Sequence, residues 1–133
     1  RAPTHQLILS EPRVCVTTWG SGFRLGSTME FAGYDESLNR VRLGALIRGA
    51  SEFLHEPVGA EHHEDWWGWR PMTWDDLPII GASTRVPGLW YATGHGMLGM
   101  SMATATAELL TARMLKQDTA IDPMPYRPDR FRI

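Results

Sequence analysis

The densest set of chemically useful residues is Gly94-His95-Gly96-Met97-Leu98-Gly99, set between a strand pattern, Gly88 to Thr93, and a helical pattern from about Met100 to Gln117. Glycines let a backbone turn sharply and lie close to a bulky neighbour. A helix that starts directly after them offers unpaired N–H groups and partial positive charge. Together they suit an anion or the electron-rich edge of a ring. Gly94, Gly96 and Gly99 also fit the spacing G-x-G-x-x-G. The dinucleotide fingerprint, however, needs an acidic residue about 20 residues on, after a second strand. Asp118 and Asp122 follow the helix instead. The local pattern alone therefore leaves a plain strand-to-helix turn open.

The second candidate is Arg70, in Arg70-Pro71-Met72-Thr73 after the tryptophans Trp66, Trp67 and Trp69. An arginine between aromatic walls holds a carboxylate through two parallel hydrogen bonds. Its plainer use is an ion pair with Glu64, Asp65, Asp75 or Asp76. His62-His63-Glu64-Asp65 lacks the convergent three or four ligands that zinc wants, so no metal site is expected. His95 has the type for acid–base work, though packing or capping is the simpler role. Cys15 sits in a strand pattern with no base in sight and reads as a small core residue. Ser101 and Thr104 belong to no visible Ser–His–acid set. No catalytic nucleophile or base is expected.

These candidates need elements to position them. Leu7-Ile8-Leu9 is a short apolar run, and Val14 to Trp19 is rich in β-branched residues. Gly20-Ser21-Gly22 follows, then an alternation of Phe23, Leu25, Ser27, Met29 and Phe31 on one face. The pattern predicts two antiparallel strands joined by a tight glycine turn. Leu43, Leu46, Ile47, Ala50 and Leu54 fall at helical spacing. They predict an amphipathic helix from about Arg40, capped by Ser37 or Asn39 and ended by Pro57. Leu77 to Gly81 is a short apolar segment, and the proline-bearing tail from Ile121 to Ile133 is expected to be mostly irregular.

With 133 residues, 43% hydrophobic and 21% charged, the chain has a globular composition, and length alone suggests one compact unit. A net charge of −2 gives no basic excess for nucleic acid. A single cysteine excludes an intrachain disulfide and fits a reducing compartment. No apolar stretch approaches the roughly 20 residues of a membrane span. The start lacks the apolar region of a signal peptide. It runs from Arg1 almost at once into a strand-like segment, which reads as a piece of a longer chain.

Longer motifs carry a resemblance. Residues Gly68 to Gly81 are similar to G-x-R-P-x-T-x-D-x-x-P-x-I-G, and Gly88 to Ala107 to L-x-x-A-x-G-H-G-x-x-G-x-x-x-A. Gly22 to Glu30 with Gly33-Tyr34-Asp35, and the ending Arg127-Pro128-Asp129-Arg130-Phe131, fit as well. The chain resembles the C-terminal part of FAD-dependent amino-acid oxidoreductases, the D-amino-acid dehydrogenase and glycine oxidase group. The resemblance implies an α+β fold: antiparallel strands of a substrate domain over 1–62, then the returning strand–loop–helix of an α/β-type FAD-binding domain over 63–133. The ADP-binding N-terminal half has no counterpart here, and that missing half is an expected partner. The isolated chain is expected to be inactive.

By the same resemblance, Arg70 matches the arginine that holds the substrate α-carboxylate. Gly94, His95, Gly96, Met97, Leu98, Gly99, Met100 and Ser101 match the loop and helix start beside the flavin ring. Met97 falls where some members touch substrate; as an apolar residue it favours a larger or apolar amino acid over glycine. The implied reaction is hydride loss from the amino acid α-carbon to FAD, then imine hydrolysis. Two alternatives are a non-catalytic carboxylate-binding or subunit-interaction module and a sarcosine-type N-methyl amino acid oxidase. Cys15 is far from the flavin motif, which disfavours the latter. The expected location is cytoplasmic, with peripheral association at the inner membrane face left open.

Overall fold

The computed structural model describes residues 3–20 and 22–131. They divide into two compact units, Arg1–Trp67 and Gly68–Ile133, rather than the one that length alone suggests.

In the first unit, Val14 and Val16 alternate inward along a β-branched run, the pattern of a half-buried strand. That run is strand β2 (Val14–Trp19), the centre of a three-stranded antiparallel sheet. Its neighbours are β1 (Leu7–Leu9) and β3 (Gly22–Gly26). The register pairs Leu9 with Val14, Leu7 with Val16 and Val16 with Leu25. The expected glycine turn between β2 and β3 includes Ser21, which lies outside the described residues.

The alternation expected to run on to Phe31 stops at Gly26, which pairs with Cys15 near the start of β2, and among the described residues no strand pairs with the chain beyond it. Ser27 turns the chain away at φ +114°. Met29 and Phe31 are therefore exposed instead of sharing a buried face with Phe23 and Leu25. Alternating residues make a strand only where a neighbour takes up the backbone hydrogen bonds.

Helix α1 (Arg40–Ser51) is capped by Asn39, whose Oδ1 accepts from the amides of Val41 at 3.1 Å and Arg42 at 3.2 Å. Leu46 and Ala50 join Leu9, Val14 and Val16 in the core, with Leu43 and Leu54 packed alongside. The helix ends at Ser51, well before Pro57. Ser51 Oγ donates to the Ile47 carbonyl at 2.7 Å, and the amides of Phe53 and Leu54 both turn back to the Ala50 carbonyl. Leu54 so reaches the core from a turn rather than from the helix. Gly49 is buried against the β1–β2 connection: a Cβ there would lie 2.6 Å from Pro12 Cβ.

The second unit begins with an antiparallel pair, β4 (Ile79–Ala82) and β5 (Trp90–Thr93), in the register Ile79 to Thr93 and Ala82 to Trp90. The chain between them is tied by Ser83, whose Oγ accepts from the amides of Arg85 and Val86. After β5 comes one 3-10 turn, Gly96–Leu98, and then helix α2 (Gly99–Met114), which buries Thr106 and Leu109. The helix stops three residues short of Gln117, because Lys116 enters the left-handed region at φ +56° and Gln117 N–H closes onto the Ala112 carbonyl at 2.8 Å. The tail, expected to be irregular, contains two further 3-10 turns, Met124–Tyr126 and Pro128–Arg130. Each carries a proline in its first positions, where the fixed φ suits a tight turn. Mixed helices and antiparallel sheets make the chain α+β.

Candidate functional site

Antiparallel pairing decides which residues meet. Because Ile79 faces Thr93, the chain entering β4 runs beside the chain leaving β5. Residues 70–78 and 94–98 are brought together this way although about twenty residues separate them in sequence. Gly96 N–H donates to the Pro71 carbonyl at 3.0 Å. In return, Arg70 Nη1 donates to the Gly96 carbonyl at 3.3 Å. The two segments singled out from sequence thus share hydrogen bonds within one unit.

The glycines permit this contact. Gly94 is buried at φ +78°, and a Cβ there would come 2.7 Å from Thr73 Cγ2, so no larger residue fits without displacement. Gly96 sits at φ +54° with Asp76 Oδ1 only 3.1 Å from its Cβ position. The bulky neighbour that these glycines approach is therefore the chain's own 73–76 turn.

That turn is itself closely tied. Thr73 Oγ1 donates to the Leu77 carbonyl at 2.7 Å, and Leu77 N–H donates to Asp75 Oδ1 at 3.2 Å. Asp76 adopts φ +57°, a left-handed conformation that aspartate tolerates better than most residues. Arg130 forms a two-pronged pair with Asp75, at 2.7 and 3.0 Å. The Arg130 guanidinium, with a smaller part from the Leu77 amide, holds the Asp75 carboxyl well below its ordinary value.

On the far side of the loop, His95 Nε2 lies 2.9 Å from Thr106 Oγ1, which joins the start of the turn to the buried face of α2. His95 so takes a packing role. None of the described side chains caps the 3-10 turn or α2. Met97, Leu98 and Met100 are exposed, at 73%, 57% and 93%, and Ser101 is exposed too. Apolar side chains and an uncapped helix start therefore face outward from the same loop.

Arg70 itself is exposed. Within its unit Asp75 is engaged by Arg130, and the described residues give Arg70 no carboxylate partner there. Asp65 is bound by Arg40 at 2.6 Å and by His62 at 3.0 Å. No three His, Cys, Asp or Glu residues converge among the described residues. Cys15 is half-buried on β2. Sequence reasoning missed Thr73, Asp76, Thr106 and Arg130 as parts of this arrangement. The ending Arg127 to Phe131 was visible as a motif, but its partner Asp75 lies 55 residues away.

A strand, a glycine loop and an uncapped helix lie beside an arginine that pairs with no carboxylate among the described residues of its unit, an arrangement suited to an anion or ring edge. The sequence pattern of the FAD dependent oxidoreductase family matches residues 1–113, and the chain belongs to that family. The D-amino acid dehydrogenase of Chromohalobacter salexigens is 37% identical over 130 residues, covering 98% of this chain and 31% of that protein. The glycine oxidase of Pseudomonas putida is 33% identical over 123 residues, covering 92% and 34%. An oxidoreductase of Halorhodospira halophila, itself uncharacterized, is 35% identical and is covered to 60%. The chain spans about a third of the length of the first two relatives. No solved structure matches it.

The surroundings of the loop bear on what it could hold. The amides of Gly96 and Leu98 are taken up by the Pro71 and His95 carbonyls, so the 96–101 segment presents the positive end of α2 and three exposed apolar side chains, with no acidic residue in the first turn of α2. Among the described residues no helix is long and apolar enough to cross a membrane.

Proposed function

We propose that this chain is the C-terminal part of an FAD-dependent enzyme that oxidatively deaminates D-amino acids, with the flavin-facing loop and the carboxylate-binding arginine in its second unit. The observation that carries the reading is the hydrogen bond from Arg70 to the Gly96 carbonyl, which keeps an exposed guanidinium directly beside the loop; it supports a role for Arg70 in gripping a carboxylate there. On this reading residues 1–62 belong to the substrate domain and 63–133 to the FAD-binding domain.

Bound FAD supplies an acceptor for the α-hydride. The rest is positioning. Arg70 takes the α-carboxylate through its remaining donors, which fixes where the α-carbon lies. The positive end of α2 favours a ring edge that gains negative charge, the pyrimidine end of the flavin. Gly96, Leu98, Gly99, Met100 and Ser101 are the cofactor-facing residues, and Gly94 and His95 hold the loop from behind through Thr73 and Thr106. Met97 reaches toward the substrate side chain and, being apolar, selects a larger or apolar amino acid over glycine. No side chain of this chain is needed as nucleophile or base, since a neutral amine can lose hydride directly and water then hydrolyses the imine to a keto acid and ammonia.

The test is spectroscopic. The polypeptide that carries this chain is expressed as encoded, and its flavin absorption is followed without oxygen. Bleaching by a D-amino acid such as D-alanine or D-leucine supports the reading. Bleaching by sarcosine alone moves the assignment to N-methyl amino acid oxidation. A flavin-free protein that still binds a small carboxylate would make it a non-catalytic module.

A further inference from the structure

Reading Arg70 and the 94–101 loop as a site leaves Arg130 without a function, although few of its donors are idle. Its side chain is only 10% exposed, in a tail where an arginine could extend into solvent. Nε donates to Asp75 Oδ2 at 2.7 Å, and Nη2 donates to Asp75 Oδ1 at 3.0 Å and to the Leu77 carbonyl at 2.6 Å. Nη1 donates to the Arg127 carbonyl at 3.2 Å, and the Phe131 ring lies under the guanidinium, 4.3 Å from its centre. A planar fork that meets a carboxylate and two carbonyls at once is fixed in orientation, which an ammonium would not be.

What Arg130 grips is the turn that carries Arg70. Asp75 and Leu77 are tied to each other and to Thr73, and Thr73 and Asp76 lie against Gly94 and Gly96. Pro71 receives the Gly96 amide, and Arg70 returns a bond to the Gly96 carbonyl. Asp76 is held at φ +57° within this turn. Such a conformation persists when its surroundings over-determine it, and Arg130 closes the turn from outside. Were the grip released, the 73–77 turn could relax, and Pro71 and Arg70 would shift relative to the loop.

We propose that Arg130 is a positioning residue for Arg70, acting through the 71–77 turn that it holds by Asp75 and the Leu77 carbonyl. The proposal rests on the reading of Arg70 as a carboxylate grip. Arg130 touches neither substrate nor cofactor. Its effect falls on how well a carboxylate is bound, and it has no effect where Arg70 is absent.

The experiment uses the flavin-loaded polypeptide that carries this chain, with propionate as a non-oxidisable carboxylate probe read by its perturbation of the flavin spectrum. Arg130→Lys keeps the charge and loses the fork; Asp75→Asn keeps the shape and loses the charge. Each is expected to weaken propionate and raise the amino acid KM by about tenfold, the size usual for groups that orient a binding residue, with the change in KM larger than that in kcat. In an Arg70→Leu background the same substitutions should add nothing, because they act through Arg70. Full additivity, or unchanged affinity in both variants while Arg70→Leu is impaired, would overturn the proposal. If Arg70→Leu alone leaves propionate affinity unchanged, the carboxylate-grip reading itself fails. Should Arg130→Lys lose its flavin or its fold, Asp75→Asn decides the matter.

Discussion

In the first unit Val14 and Val16 are each 1% exposed, and with Leu9, Leu46 and Ala50 they make a core whose cohesion is apolar. In the second, Pro78, Ile80 and Leu109 are the buried large apolar side chains among the described residues. The shape there is fixed by hydrogen bonds: Arg130 to Asp75, Thr73 to Leu77, His95 to Thr106 and Gly96 to Pro71. Apolar burial is non-directional and holds a sheet against a helix without fixing any one atom. Hydrogen bonds fix direction, which a binding loop needs. The unit that carries the candidate site is the one that relies on them.

Substitutions that attack each kind of contact sharpen this contrast. The largest loss is expected from Gly94→Ala, which combines a left-handed φ with a 2.7 Å approach to Thr73. Strain and displacement together should cost about 3 kcal/mol, and hydrogen exchange should show it in β5 and the loop while β2 stays protected. Val16→Ala removes buried methyl groups from the first core, at a cost of about 2–3 kcal/mol. That loss should appear in denaturant unfolding and be the same at pH 5 and pH 8, since no charge is involved. Asn39→Ala removes the cap of α1 and should cost about 1 kcal/mol, read as earlier thermal loss of helical signal.

The smallest effect is confined to acid. The carboxyl of Asp75 is held below its ordinary value by Arg130, so folding binds its charged form. The resulting stability is fully present above about pH 4, the ordinary carboxylate range, and is lost as pH falls through the folded value. Asp75→Asn should therefore flatten the acid limb of the second unit's stability curve and leave that of the first unit unchanged. An equal change in both units would break the contrast.

The sequence made the elements legible where local chemistry decides them. Val14 to Trp19 is β-branched and is a strand; Asn39 sits before an apolar stripe and caps α1. The strand expected to continue to Phe31 failed because alternation says nothing about whether a partner exists beyond Gly26. Helix ends failed for a similar reason, since Ser51 and Lys116 stop their helices through local hydrogen bonds and backbone geometry that apolar spacing does not register. At the candidate site, Arg70 and the glycine loop stood out by residue type. Arg130 did not, because its meaning depends on Asp75, and the pairing of residues 55 apart is a property of the fold.

The account turns on whether Arg70 grips an amino acid carboxylate beside the 94–101 loop. Anaerobic titration of the flavin spectrum with D-alanine, in the native polypeptide and in Arg70→Leu, measures that directly. Removing a charged, hydrogen-bonded partner should weaken binding by about thirtyfold or more, with flavin still bound. Equal affinity in the two proteins would contradict it.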